Sequence, residues 1–171
     1  MTSEDRFEKI RSYFAHTLAA HGSTPRGVDY NSTESQFIRF EQLLKIVEPG
    51  QPFSILDYGC GFGALIDLLI AKNWDFTYLG YDISQEMIAE AIKNYRHLSC
   101  CRFTSLDSDL PVMEYVVESG IFNVRFDESV QGWGDYVLAT LNKMNALSSK
   151  GFSFNMLTKY SDPERMRTDL Y

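Results

Sequence analysis

The sequence predicts an α/β fold: a doubly wound, mainly parallel sheet with helices on both faces. Two observations indicate it. Short apolar runs alternate with helical patterns from residue 50 onward, and the glycine-rich stretch LDYGCGFGAL (56–65) separates the first strand from the next helix. Such alternation is typical of parallel sheets, whose ligands bind at the carboxyl ends of the strands. We therefore expect the strand order 3-2-1-4-5, with a ligand on the glycine loop.

Chain length and composition indicate one folded domain over residues 1–171, with 44% hydrophobic residues and a net charge of −7. An acidic protein is a poor ligand for a nucleic-acid backbone, so we expect no nucleic-acid partner. Three cysteines do not form a disulfide framework, and the acidic N-terminus does not resemble a signal peptide. We expect a cytoplasmic protein without a membrane anchor.

Two helices precede the first strand and form an N-terminal helical cap or lid over residues 1–49. The first has Ser3 as N-cap, ends at Gly22 and carries apolar residues at helical spacing, Phe7, Ile10, Phe14 and Leu18. The second begins at the capping-box pattern TESQ (33–36) and runs to Pro49. The polar segment 21–32 joins them as a loop.

The alternating elements follow in order over a cofactor-binding core, residues 50–158. Strands are predicted at 53–59, 76–82, 100–106, 113–122 and 151–157, and helices at 64–73, 84–98 and 135–149. The fifth strand places Phe152, Phe154 and Met156 on one side of a sheet edge, so we expect self-association through it. Residues 159–171 are interpreted as the start of an incomplete C-terminal element.

The glycine loop alone is compatible with two ligands. Gly59-x-Gly61-x-x-Ala64 fits a dinucleotide fingerprint, and Asp82 follows the second strand where a ribose-binding acid belongs. Asp57 favours a different ligand, because its carboxylate would repel a pyrophosphate but attract the sulfonium and ammonium groups of S-adenosylmethionine. The glycines could also serve tight packing only, and Asp82 could be a turn residue beside the N-cap Ser84.

These residues resemble the class I (Rossmann-like) S-adenosylmethionine-dependent methyltransferases over roughly residues 50 to 158. LDYGCGFG looks like their first motif, so the resemblance implies that Asp57 and the loop glycines, Gly59, Gly61 and Gly63, contact the methionine part of the cofactor. YLGYDIS followed by EMI resembles their second motif. It implies that Asp82 binds the ribose hydroxyls and that Ile83 or Met87 packs on adenine.

Three further segments extend the resemblance. FTSLDSDLP is similar to the third motif and implies that Asp107, or Asp109 close behind it, receives the adenine amino group. EYVVESGIFNV occupies the place of the fourth, whose strand end would face the methyl group through Glu118, Ser119 and Gly120. The N-terminal segment resembles that of bacterial small-molecule methyltransferases, in which Arg39 would reach the cofactor carboxylate.

The function implied is methyl transfer from S-adenosylmethionine to a small-molecule acceptor by direct in-line displacement. Orientation can supply most of the catalysis, so only weak base candidates are named: His21, Tyr30 and Glu118. No cysteine and histidine pattern has metal-ligand spacing, and we expect no metal. The sixth and seventh strands usual in the family are missing from the pattern. A truncated or regulatory cofactor-binding domain without turnover, and a nicotinamide-dependent oxidoreductase, remain alternatives.

Overall fold

The computed structural model describes residues 3–157, and the predicted element 159–171 lies outside the described residues. Five helices and five strands follow one another along this part of the chain. They are α1 (Ser3–His21), α2 (Thr33–Leu43), β1 (Phe53–Tyr58), α3 (Leu65–Ala71), β2 (Phe76–Tyr81), α4 (Gln85–Tyr95), β3 (Cys101–Thr104), β4 (Met113–Ser119), α5 (Val130–Ala146) and β5 (Ser148–Asn155). Short 3-10 turns cover Pro25–Val28, Leu44–Ile46 and Asp107–Asp109.

The five strands form one parallel sheet in the order β3-β2-β1-β4-β5, which confirms the predicted topology. In the central register Asp57 of β1 lies between Gly80 of β2 and Val117 of β4. The carboxyl ends of β1, β2 and β4 therefore meet at one edge of the sheet. The chain order reverses between β1 and β4, which is where ligands of such sheets bind.

Helices cover both faces of the sheet, as predicted. On one face α2, α3 and α4 bury residues such as Phe40, Leu65 and Met87 against Ile55 and Tyr78. On the other face α5 packs Met144 against a second cluster that contains Leu56, Tyr81 and Val116. The alternation of β1 thus sends Ile55 and Leu56 into two different cores, which fixes the register of the central strand.

Several element boundaries differ from the predicted ones, because local hydrogen bonds outweigh the apolar pattern. The capping box of α2 is Ser32 with Ser35, one residue earlier than the predicted pattern: each side-chain oxygen accepts from the other residue's amide. Helix α5 begins at Val130 and not at residue 135, since the Ser129 hydroxyl accepts from Gly132 N at 3.0 Å. Strand β5 begins correspondingly early, at Ser148.

Among residues 3–157, no helix combines the length and the apolar character that a bilayer crossing requires.

Candidate cofactor and acceptor site

A cavity of about 720 Å³ opens at the carboxyl ends of β1, β2 and β4. Its walls come from the glycine loop, from the segment after β2, from the turn after β4, and from α1 and α5. Among the residues predicted for the cofactor, it brings together Gly59, Gly61, Asp82, Ile83, Met87 and Asp107. Four of the predicted motif segments therefore contribute to one cavity, since Ser119 and Gly120 of the fourth segment also line it.

The glycine loop approaches the cavity with its backbone. Gly59 and Gly61 have φ angles of 88° and 54°, in the left-handed region that side chains with a Cβ rarely adopt. A Cβ on Gly59 would overlap Cγ2 of Ile121, and one on Gly61 would lie 3.0 Å from Cγ1 of Val28. The amides of Gly59 and Cys60 both donate to the Tyr81 carbonyl, at 2.7 and 2.9 Å, so the loop is fastened to the end of β2.

Asp82 is held by the loop that it faces. Its Oδ2 accepts from the Gly61 amide and its Oδ1 from the Ser84 amide, each at 2.9 Å. Burial raises the pKa of Asp82 to about 6, although these two amide donors lower it. The carboxylate is therefore mainly ionised at neutral pH and is oriented before any ligand arrives. The N-cap of α4 is Ser84, whose hydroxyl oxygen accepts from Met87 N at 3.2 Å, so Asp82 does not act as the N-cap.

Asp57 lies beneath the loop and not in the main cavity. It lines a side pocket of about 30 Å³ together with Tyr30, Gly59 and Gly61. Its Oδ2 accepts from the Tyr78 hydroxyl at 2.7 Å, and burial raises its pKa to about 7. Because a neighbouring cation would favour the ionised form, the pocket is suited to a positively charged group.

Tyr30 joins the N-terminal segment to the end of β4. Its hydroxyl lies 2.5 Å from Ser119 Oγ, which also accepts from Asn155 Nδ2 at 2.7 Å. Burial raises the pKa of Tyr30, so the phenol stays protonated at neutral pH and is a hydrogen-bond donor, not a base. Arg39 does not line either cavity; its guanidinium lies 5.1 Å from the centre of the Tyr30 ring.

Glu118 is fully buried and does not line the cavity. Its Oε1 accepts from the Ile121 amide at 2.6 Å, while its Oε2 is buried without a hydrogen-bond partner. Burial raises the pKa of Glu118 to about 8. The side chain therefore braces the turn Ser119–Gly120–Ile121, which does line the cavity, and Ile121 in turn lies against Gly59.

Three other predicted residues have different surroundings. Gly63, with φ of 89°, faces the Tyr95 ring, which a Cβ would approach to 2.9 Å, and it does not line the cavity. Asp107 lines the cavity and accepts from Lys143 Nζ. His21 is the exposed last residue of α1, outside the lining of the cavity.

The sequence did not predict most of the cavity wall that lies opposite the cofactor residues. Phe7, Ile10 and Phe14 of α1 line the cavity, whereas their helical spacing predicted only an amphipathic helix of the cap. Tyr136 of α5 also lines it. No signal in a single sequence separates an apolar residue that faces a cavity from one that faces the core, because both follow the same period.

Comparisons with known proteins agree with this geometry. The family model described as "Methyltransferase domain" matches residues 55–146. A Mycobacterium tuberculosis protein named "Putative methyltransferase Rv1506c" is 43% identical over 128 residues, which are 75% of this chain and 77% of that protein.

Two solved structures have the same fold, and both belong to longer proteins. Phosphoethanolamine N-methyltransferase 1 of Haemonchus contortus, in complex with phosphoethanolamine and S-adenosylhomocysteine, has a TM-score of 0.65 at 15% identity. It covers 99% of this chain, which spans 36% of that protein. The N-methyltransferase NodS of Bradyrhizobium japonicum, in complex with S-adenosylhomocysteine, has a TM-score of 0.56 at 17% identity over 78% of this chain and 66% of its own. The chain belongs to the methyltransferase-domain family and has its Rossmann-like fold.

Proposed function

We propose that this protein transfers a methyl group from S-adenosylmethionine to a small-molecule acceptor. The observation that carries the proposal is that Asp82, the backbone of the glycine loop and the turn after β4 converge on one cavity. Family membership supports methyl transfer, and the solved relatives bound to S-adenosylhomocysteine support the cofactor.

The residues of the site fit this cofactor. The Asp82 carboxylate, already oriented by two amides, would accept hydrogen bonds from ribose hydroxyls. Ile83 and Met87 offer apolar surface to the adenine beside it. Gly59 and Gly61 line the cavity beside the methionine part, and Asp57 in the side pocket complements its ammonium group. The same acid would repel the pyrophosphate of a dinucleotide, which counts against the oxidoreductase alternative.

When bound, the cofactor would supply an activated methyl group, whose carbon would bond to a lone pair of the acceptor while the electrons of the carbon–sulfur bond remain on sulfur. The protein contributes orientation and exclusion of water. Tyr30 and the Ser119–Ile121 turn line the side from which an acceptor would approach. We assign no general base, and a proton that the acceptor loses would pass to solvent after the methyl group has been transferred.

Transfer of labelled methyl tests this proposal. The purified chain is incubated with S-adenosylmethionine carrying a tritiated methyl group and with a small-molecule extract. Label in a small, extractable product is the expected result. Label only in protein or nucleic acid would contradict the acceptor class, and we include an Asp82→Ala variant to show that any label depends on the proposed cofactor site.

A further inference from the structure

We propose that the methyl acceptor is a molecule with an apolar body and no negative charge, bound between α1 and the segment that joins β4 to α5. This inference rests on the proposed function and narrows its acceptor class. It comes from the part of the cavity that the cofactor residues do not occupy, which we call the acceptor chamber. The chamber is formed by Phe7, Ile10, Phe14, Val124, Phe126 and Tyr136.

The chamber walls are apolar on both sides. Three aromatic or aliphatic side chains of α1 face the cavity from one side, and Val124 and Phe126 face it from the other. Tyr136 closes the α5 side, with its ring 6.1 Å from the Phe7 ring in an edge-to-face arrangement. Burying an apolar ligand against such surfaces is favourable in proportion to the area removed from water.

Each charged residue that lines the cavity, within the described chain, already has a partner in the protein. The pairs are Arg6 with Glu128, Arg11 with Glu8, Lys143 with Asp107, Asp29 with the Tyr13 hydroxyl, Asp135 with the Gln131 amide, and Asp82 with two backbone amides. An anionic acceptor would lose its hydration without gaining a free counter-charge, because each lining cation is already paired with a carboxylate, and that loss is costly. The lining acids Asp29, Asp135 and Asp82 accept from uncharged groups, so a neutral or cationic acceptor avoids this cost.

Arg6 is the clearest example of a charged lining residue that is already paired within the protein. Its side chain lines the cavity but is only 11% exposed, and its Nη2 and Nε donate to Glu128 Oε2 at 2.7 and 3.1 Å. Its guanidinium also lies 5.0 Å from the centre of the Tyr136 ring. This cation fastens α1 to the start of α5, so it is masked from an anionic ligand. The Arg11–Glu8 pair, in contrast, is at the exposed rim, where solvent screens it.

Three ligands that share a naphthalene body test the inference: 2-naphthol (neutral), 2-naphthoate (anionic) and 2-naphthylmethylammonium (cationic). Each is titrated into the protein at pH 7 with saturating S-adenosylhomocysteine. We expect 2-naphthol and 2-naphthylmethylammonium each to bind about tenfold more tightly than 2-naphthoate, which corresponds to roughly 1.4 kcal/mol. Equal or tighter binding of 2-naphthoate, or no binding of any of the three, would overturn the inference.

Two charge variants sharpen the test. Ile10→Lys places an unpaired cation in the chamber and should raise affinity for 2-naphthoate, whereas His16→Lys makes the same change at an exposed position of α1 and should not. Glu128→Gln should act like Ile10→Lys by unmasking Arg6; if it does not fold, the two lysine variants decide alone. An equal response of both lysine variants would contradict the placement of the acceptor.

The S-adenosylhomocysteine titration that precedes each experiment separates the two levels of the proposal. Absence of S-adenosylhomocysteine binding by the unmodified chain would refute the proposed function. Normal S-adenosylhomocysteine binding with the wrong order of naphthalene ligands would refute only the acceptor without negative charge.

Discussion

Asp82 is the residue on which the cofactor site depends most, because it faces the cavity while bound to the glycine loop. We expect Asp82→Ala to weaken S-adenosylhomocysteine binding by roughly 1.5–3 kcal/mol, the usual loss for a charged hydrogen-bonding group. Calorimetry measures the change. Asp75→Ala is the matched control, since Asp75 is an exposed aspartate that immediately precedes β2, at the other end of the strand from Asp82. Equal dissociation constants for Asp82→Ala and the unmodified chain would place the ribose elsewhere.

Glu118 is a positioning residue in this account, since it does not line the cavity and its Oε1 holds the Ile121 amide of the turn that does. Glu118→Ala should weaken S-adenosylhomocysteine binding about tenfold, because a buried amide loses its acceptor and the turn loosens. Glu118→Gln retains an oxygen at the same place and should bind almost normally.

Val116→Ala supplies the control for general destabilisation, because Val116 is fully buried on the same strand and does not line the cavity. It should lower the melting temperature without changing affinity. If Glu118→Gln abolishes methyl transfer while S-adenosylhomocysteine binding is unchanged, Glu118 has a chemical role and the positioning account is wrong.

The position of the glycine loop and Asp82 at one edge of the sheet could be predicted from the sequence, because few residue types suit either position. Positive φ angles favour glycine, and an acid that follows the second strand ends at the same sheet edge as the loop. The surroundings of the Glu118 side chain could not be predicted from the sequence in the same way. Whether a carboxyl at a strand end turns towards the cavity or under a helix depends on the packing of α5, which a single sequence does not specify.

At the scale of elements, α1 and the loop after it cover the cavity and are tied to the opposite wall. Arg6 pairs with Glu128, and Lys9 Nζ lies 2.6 Å from Asp127 Oδ1. We expect this cap to act as a lid, so that hydrogen exchange in residues 20–36 slows when S-adenosylhomocysteine is added. Exchange at β3 serves as the internal reference. Identical rates in residues 20–36 with and without the ligand would refute the lid.

Strand β5 pairs with β4 on one side and, among residues 3–157, with no strand on the other. Phe154 and Met156 near its end are 40% and 43% exposed. Because an apolar edge strand invites pairing with another chain, we expect the 171-residue protein to self-associate as concentration rises.

Light scattering over a concentration series measures this association. Phe154→Lys places a charge on the edge and should reduce it, whereas Ile70→Lys, a change at an exposed apolar residue of α3, should not. A mass that stays monomeric at every concentration would contradict the edge interpretation.

The types and order of the elements could be predicted because apolar periods of 2 and 3.6 residues alternate clearly in this chain. Their ends could not, since they depend on single hydrogen bonds. The first turn of α5 was not predicted, because Gly132 and Gly134 disfavour a helix there. The Ser129 N-cap stabilises this turn. The apolar spacing in α1 and α5 likewise predicted the helices but not the cavity between them.

For the whole molecule, three buried acids predict how stability depends on pH. Burial raises the pKa of Asp82 to about 6, of Asp57 to about 7 and of Glu118 to about 8. Between pH 5 and 8 the ligand-free folded state therefore binds more protons than the unfolded state. Stability must fall as pH rises through this window, by up to about 1.4 kcal/mol per pH unit for each group that titrates.

Melting temperatures at pH 5, 6, 7 and 8 in constant ionic strength measure this dependence. We expect a steady decrease, and a smaller one in Glu118→Gln, which removes the acid with the highest of the three pKa values. A melting temperature that rises from pH 5 to 8 would show that these acids are not buried as the structure has them.

The central claim, that the cavity binds S-adenosylmethionine, is tested most directly by calorimetry on the unmodified chain. S-adenosylhomocysteine and NADH are titrated in separate experiments at pH 8, where the Asp82 and Asp57 carboxylates are mainly ionised. We expect saturable, one-site heat with S-adenosylhomocysteine and none with NADH. Saturable heat with NADH and none with S-adenosylhomocysteine would contradict the account.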